Sequence, residues 1–123
     1  MTSKQAVTAL VPYAHVRDVQ RSIDFYAHFG FEPTDVSLDD GVTVWALLVS
    51  GSARLMVAQA GADIVPEQQA VLFYLYTSNL ADLRNQLVDD GVPVGEITAP
   101  DYMPAGEMRV HDPDGYVLLI GQR

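Results

Sequence analysis

The chain has 123 residues, no cysteine and a formal net charge of −9. That length suits one compact domain with a real core. Without thiols there are no disulfides, Cys-ligated zinc sites or thiol nucleophiles, and the negative charge argues against a nucleic-acid partner. No window is long and apolar enough to span a bilayer. The opening "MTSKQAVTALVPY" lacks the basic-then-apolar order of a signal peptide. The expectation is a cytoplasmic protein with no membrane partner. Its acidity serves solubility and also attracts cations.

The segment "ALVPYAHV" (9–16) reads as a strand, weakened by Pro12, which cannot donate to a ladder. "DVQRSIDFYAHFG" (18–30) reads as an amphipathic helix. Asp18 is its N-cap, Val19, Ile23 and Tyr26 share a face with Phe25 and Phe29 nearby, and Gly30 stops it. Strands follow at "TDVSL" (34–38), "VTVWALLV" (42–49) and "RLMVAQ" (54–59). Asp40-Gly41 and Ser50-Gly51 mark the turns.

"GADIVPEQQ" (61–69) reads as a linker. The plan then repeats, with a strand at "AVLFYLY" (70–76) and a helix at "SNLADLRNQLVDDG" (78–91). In that helix Asn79 is the expected cap, Leu80, Leu83 and Leu87 form the stripe, and Gly91 is the stop. Further strands are expected at "VGEIT" (94–98), "EMRVH" (107–111) and "YVLLIG" (116–121). The cap and the stop recur at one offset of 61, from Asp18 to Asn79 and from Gly30 to Gly91.

The fold class is therefore α+β, two tandem βαβββ modules whose curved mixed sheets enclose a cavity on the faces opposite the helices. Module one is expected at about 5–60, the linker at about 61–69 and module two at about 70–123, together forming one domain. "APDYMPAGE" (99–107) departs from the repeat. It is a turn-rich loop carrying Tyr102 and Met103, of the kind that covers binding clefts.

"VRDVQRSIDFYAHFGFEP" resembles the first helix motif of the vicinal oxygen chelate superfamily, and "GEMRVHDPDGYVLLIGQ" resembles its C-terminal hairpin. That superfamily includes glyoxalases, ring-cleaving dioxygenases, fosfomycin resistance enzymes and bleomycin resistance proteins. The resemblance implies paired modules lining a concavity, usually within a homodimer. It does not fix the chemistry. In metal-dependent members the ligand positions fall on Val11, Leu72 and Leu119, with Ala58 as a fourth equivalent. These side chains have no lone pairs to give a metal. The expectation is a protein without a metal site, a cofactor or catalytic residues.

"HDPDG" is then read as a turn, with Pro113 at its first corner, Asp114 capping it and Gly115 at positive φ. His111 and Asp112 are adjacent and point to opposite faces, so they do not converge on one ion.

Alternation from Val11 places Tyr13 and His15 on the cavity wall, and alternation from Leu72 places Tyr74 and Tyr76 there. The family register adds Thr43, Trp45 and Leu47, and Met108 with the loop residues Tyr102 and Met103 completes the wall. Rings of this kind suit a flat guest, and their faces favour cations. Trp45 alone is equally explained as core. Three tyrosines sealed in a dry core would each need a hydroxyl partner.

His15 is open to two readings, a general base or a hydrogen-bonding neighbour, and the second is preferred because no nucleophile or acid shares its strand face. His28 near the helix end opposes the dipole. Asp39-Asp40 and Asp89-Asp90 each precede a glycine and read as turn chemistry. Glu96, Asp101 and Glu107 lie nearer the expected cavity mouth and offer an acidic rim.

The resulting expectation is a metal-free homodimer that sequesters an aromatic, cationic, antibiotic-like small molecule, as the bleomycin resistance branch does. The alternative is a glyoxalase- or dioxygenase-type enzyme, a lyase or oxidoreductase acting on a small organic substrate. A third reading is a structural or regulatory domain with a filled hollow.

Overall fold

Each helix forms where an apolar stripe and end signals coincide, and each then covers one face of a sheet. The computed structural model describes residues 6–123, which divide at Gly61–Ala62 into two units. The expected start of module one near residue 5, and the absence of a leader as read from Met1–Gln5, lie outside the described residues.

The first unit runs β1 (Tyr13–Val16), α1 (Val19–Ala27), β2 (Glu32–Asp39), β3 (Val42–Ser50) and β4 (Ala53–Gln59). Asp18 caps α1, its Oδ1 accepting the Arg21 N–H at 3.1 Å. Val19, Ser22, Ile23 and Tyr26 are the buried face of the helix. Gly30, at φ +87, lets the chain turn back so that the Phe31 N–H reaches the Tyr26 carbonyl at 3.2 Å. Phe31 then meets the Tyr26 ring edge-on, with centroids 6.0 Å apart.

The strands lie in the order β1-β4-β3-β2, with β1 parallel to β4 and the other pairs antiparallel. The first strand is shorter than the sequence indicated. It begins after Pro12, which lacks an N–H, although the Pro12 carbonyl still accepts Met56 N–H at 2.9 Å. Asp40 (φ 51) and Gly41 (φ 79) both take positive φ, the two-residue hairpin geometry that matches strand twist. β2 is an edge strand, exposed along its whole length, with register shifts at Pro33/Asp35 and Ser37/Leu38.

The second unit holds a short 3₁₀ turn (Pro66–Gln68), β5 (Leu72–Thr77), α2 (Leu80–Asp89), β6 (Glu107–His111) and β7 (Val117–Gln122). Its sheet order is β5-β7-β6, with β5 parallel and β6 antiparallel to β7. The offset of 61 carries β1 onto β5, α1 onto α2 and β4 onto β7, so the repeated plan is real. Both sheets are open and mixed, and the fold is α+β.

Three local expectations need correction. The segment 94–98 is not a full strand. It touches β6 through Gly95 N–H to the Arg109 carbonyl (3.0 Å) and the Thr98–Glu107 bridge. Between these points the Gly95 carbonyl turns away and accepts Arg84 Nε at 3.0 Å. Asn79 does not cap α2 with its side chain, since its amide donates to Asp82 Oδ2 at 2.7 Å. Gln122 does the capping from β7: its Oε1 accepts the Leu80 N–H, and its Nε2 donates to the Ser78 carbonyl, both at 2.8 Å.

In the His111–Gly115 turn the capping acid is Asp112, not Asp114. Asp112 Oδ1 accepts from Asp114 N–H at 2.8 Å and Tyr116 N–H at 2.9 Å. The segment remains a turn: His111 is exposed at the end of β6, while Asp112 and Asp114 are buried.

Parity divides each sheet. In the first unit Ala14, Val16, Ala46, Leu48, Leu55 and Val57 are buried on the helix side. In the second, Val110, Leu118 and Ile120 do the same work beside Leu80 and Leu87 of α2. The alternate residues make two open faces. Among the described residues no helix is long and apolar enough to cross a membrane.

Gly115 tests the second unit's construction. It sits at φ +87, and a Cβ there would lie 2.4 Å from the Pro66 carbonyl oxygen. Gly115→Ala is therefore expected to lower stability by about 2–3 kcal/mol, from the left-handed backbone and the displaced 66–68 turn together. Urea unfolding followed by circular dichroism measures it, and an unchanged midpoint would contradict this packing.

Candidate ligand-binding face

Register decides what the open faces carry. In the first unit one row runs Tyr13–Met56–Leu47–Asp35, and the next runs His15–Ala58–Trp45–Ser37. Tyr13 and His15 are exposed, with ring centroids 5.5 Å apart, and Thr43, Trp45 and Leu47 are half-buried. In the second unit the rows are Leu72–Val117–His111, Tyr74–Leu119–Arg109 and Tyr76–Gly121–Glu107. The open face of β5 thus presents Leu72, Tyr74 and Tyr76, as alternation required.

Met108 departs from the expectation. It pairs with Ile120, is 2% exposed and lies on the helix side, one residue out of phase with the open face. The neighbouring Glu107 takes the place Met108 was expected to fill. The expected acidic rim is accordingly reduced, because Glu107 is only 7% exposed and lies within the face. Glu96 is highly exposed, 3.5 Å from the Arg84 guanidinium of α2.

The chemistry gathers around Glu107. Tyr74 donates its hydroxyl to Glu107 Oε1 at 2.5 Å, and Tyr102 donates to Oε2 at 2.8 Å. Both carboxylate oxygens are thereby engaged, a short charge-assisted arrangement that suits a buried acid. Tyr102 brings the 99–106 loop onto the sheet. Within that loop Met103 N–H bonds the Pro100 carbonyl, Gly106 N–H bonds the Met103 carbonyl, and Met103 lies over Gly121. A Cβ on Gly121 would meet Met103 Cε at 2.9 Å and Tyr74 Cε1 at 3.4 Å, so the glycine makes the seat for both.

Tyr74 and Tyr76 stack at 5.2 Å with planes 30° apart, and the Arg123 guanidinium carbon stands 4.7 Å from the Tyr76 ring centroid. A hollow of about 280 Å³ adjoins this cluster, lined by Glu107, Met108, Arg109 and Leu119 with Gly95, Glu96 and Thr98. A larger hollow of about 400 Å³ flanks the His111–Gly115 turn, walled by Pro66, Glu67 and Gln69. The smaller one shares Glu107 with the tyrosine cluster and is the better candidate.

The structure brings Tyr74, Tyr76, Tyr102 and Met103 together, with residues between them that the sequence reading did not single out. Arg109 and Gly121 lie within the "GEMRVHDPDGYVLLIGQ" motif, and Arg123 just after it, but none was assigned a role. The available signal was parity along β7, which pairs Leu119 with Arg109 once the hairpin register is known.

A family model described as "Glyoxalase/Bleomycin resistance protein/Dioxygenase superfamily" matches residues 9–120. The chain belongs to this superfamily. No curated protein sequence matches it. Among solved structures, a bleomycin-binding protein in complex with bleomycin is similar at 21% identity and TM-score 0.74, covering 95% of this chain and 99% of that one. TnmS3, an antibiotic-binding protein from Streptomyces sp. CB03234, is similar at 20% identity and TM-score 0.73, covering 97% and 98%. A bleomycin-binding protein from Streptomyces verticillus, in complex with copper(II)-bleomycin, is similar at 16% identity and TM-score 0.71, covering 98% and 99%. At these identities the likeness is one of fold.

The superfamily's metal-dependent members raise the question of fit. Leu72 and Leu119 stand on the open face of the second unit, Ala58 on that of the first, and Val11 just before β1. All four are hydrocarbon, and no group of three or more His, Asp or Glu among the described residues is placed to hold an ion. These donor positions do not fit a divalent metal.

Glu107 also sets the titration of its partners. Its hydrogen bond, with the adjacent negative charge, pushes the Tyr74 phenol up from 10.0 to about 12 and raises Tyr102 as well. Folding favours the neutral phenol, so the Tyr74 contribution to stability is intact below pH 10.0 and lost as pH rises towards about 12. An ultraviolet titration is expected to show a late-ionising tyrosine among the six. Glu107→Gln should return it towards the ordinary range, and a curve unmoved by that change would remove Glu107 as the cause.

Proposed function

We propose that this protein binds and sequesters an aromatic small molecule, without a metal ion and without chemical conversion. The carrying observation is the stacked Tyr74–Tyr76 pair, 38% and 52% exposed on an open sheet face where the superfamily's ligand positions are hydrocarbon. Two exposed rings stacked on each other, and kept in place by the Tyr74–Glu107 bond, leave their edges and the outer face of Tyr74 to a flat guest at little entropic cost. Leu72 lies beside this pair, and Tyr102 and Met103 border it from the loop. Tyr13, His15, Trp45 and Leu47 supply a comparable surface in the first unit. Neighbours of the same fold described as bleomycin- and antibiotic-binding proteins support the reading at the level of ligand class.

In this proposal the two modules act as one domain and the working form is a cytoplasmic homodimer. Sequestration needs only affinity exceeding that of the compound for its target.

Melting curves recorded with a panel of aromatic antibiotics test the idea. At least one compound should raise Tm in a concentration-dependent way. Tyr76→Ala should weaken that compound by about tenfold, the order expected for loss of one stacking ring. No shift across a broad panel would sink the proposal.

A further inference from the structure

The whole-chain charge of −9 points to a cationic guest, but the hollow on the second unit's open face also holds an exposed guanidinium, Arg109, beside Glu96 and Glu107. Glu107 is buried, and its oxygens accept from Tyr74 and Tyr102 within the face. Asp112 is buried within its turn, its Oδ1 holding two backbone N–H groups. Glu96 lies against Arg84. Asp101 is exposed on the loop.

The cations are placed differently. Arg109 is exposed, lines the 280 Å³ hollow and stands in the same cross-strand row as Leu119 and Tyr74. Its side chain makes no hydrogen bond or ion pair with another described residue. Arg123 already lies over one face of Tyr76, where a cationic guest would have to compete with it.

We infer that the second unit's open face is a site for a planar aromatic compound bearing an acidic group, its ring against the stacked Tyr74–Tyr76 pair and its anion on the Arg109 guanidinium. A guanidinium fork matches a carboxylate in two parallel hydrogen bonds, which an ammonium does not. The hollow's Leu119 floor lowers the local dielectric and strengthens that pairing. This inference rests on the binding function proposed above and adds the sign of the ligand's charge.

Isothermal titration of the full-length protein with three probes of one ring system tests it: 2-naphthoate, neutral 2-naphthamide and cationic 2-naphthylmethylammonium. The naphthoate should bind about tenfold more tightly than either of the others, with affinity falling as salt rises. Arg109→Ala should abolish the preference for naphthoate over naphthamide, and Arg109→Lys should restore only part of it. Arg109 is exposed, so the variant's urea midpoint should match the parent's.

Equal or tighter binding of the cationic probe, or a naphthoate affinity untouched by Arg109→Ala, would overturn the charge assignment and leave the binding function standing. Failure of all three probes, together with no melting shift from the antibiotic panel, would overturn both.

Discussion

Each sheet is covered by a helix on one face only, and the roles of the strand residues follow from that asymmetry. Strand side chains alternate with a period of two, so one set must fill the core and the other must meet whatever lies beyond. Val16, Leu48 and Val57 take the first part in one unit, and Leu118, Ile120 and Val110 take it in the other. Their sequence neighbours have no choice but to line the open faces. Tyr74 and Tyr76 are exposed rings because Phe73 and Leu75 point the other way, with the pairing partners Leu118 and Ile120. A binding surface is therefore a by-product of making the core.

The same asymmetry explains why the site is knit by long-range polar contacts. An exposed tyrosine on a sheet has few neighbours to fix its ring. Here the Glu107 carboxylate anchors Tyr74 from across β7, and the loop supplies Tyr102 to satisfy the second oxygen. The absence of a side chain at Gly121 leaves room between them for Met103. Glu107 thus ties strand and loop into one surface, and its burial is tolerable because both of its oxygens are satisfied.

What the sequence revealed were the features encoded locally. The Asp18 cap, the Gly30 and Gly91 stops, the Asp40-Gly41 hairpin and the offset between halves all depend on residues a few positions apart. What it hid depended on register between distant segments. Gln122 caps α2 from 42 residues away, and no local rule could prefer it to Asn79. Met108 looked suited to a cavity wall, but its side is fixed by pairing with Ile120, and one step of phase sends it into the core. Arg84 drawing off the Gly95 carbonyl likewise explains why "VGEIT" reads as a strand and does not complete one.

β2 adds a consequence for the molecule in a crowded solution. A lone sheet margin is a template on which other chains can build, and the usual outcome is aggregation. Glu32–Asp39 meets that hazard with two breaks in its hydrogen-bond comb and with carboxylates at Glu32, Asp35 and Asp39. A stray strand arriving there would find its donors and acceptors out of step and would be repelled if acidic. That margin is thereby blunted against strand addition.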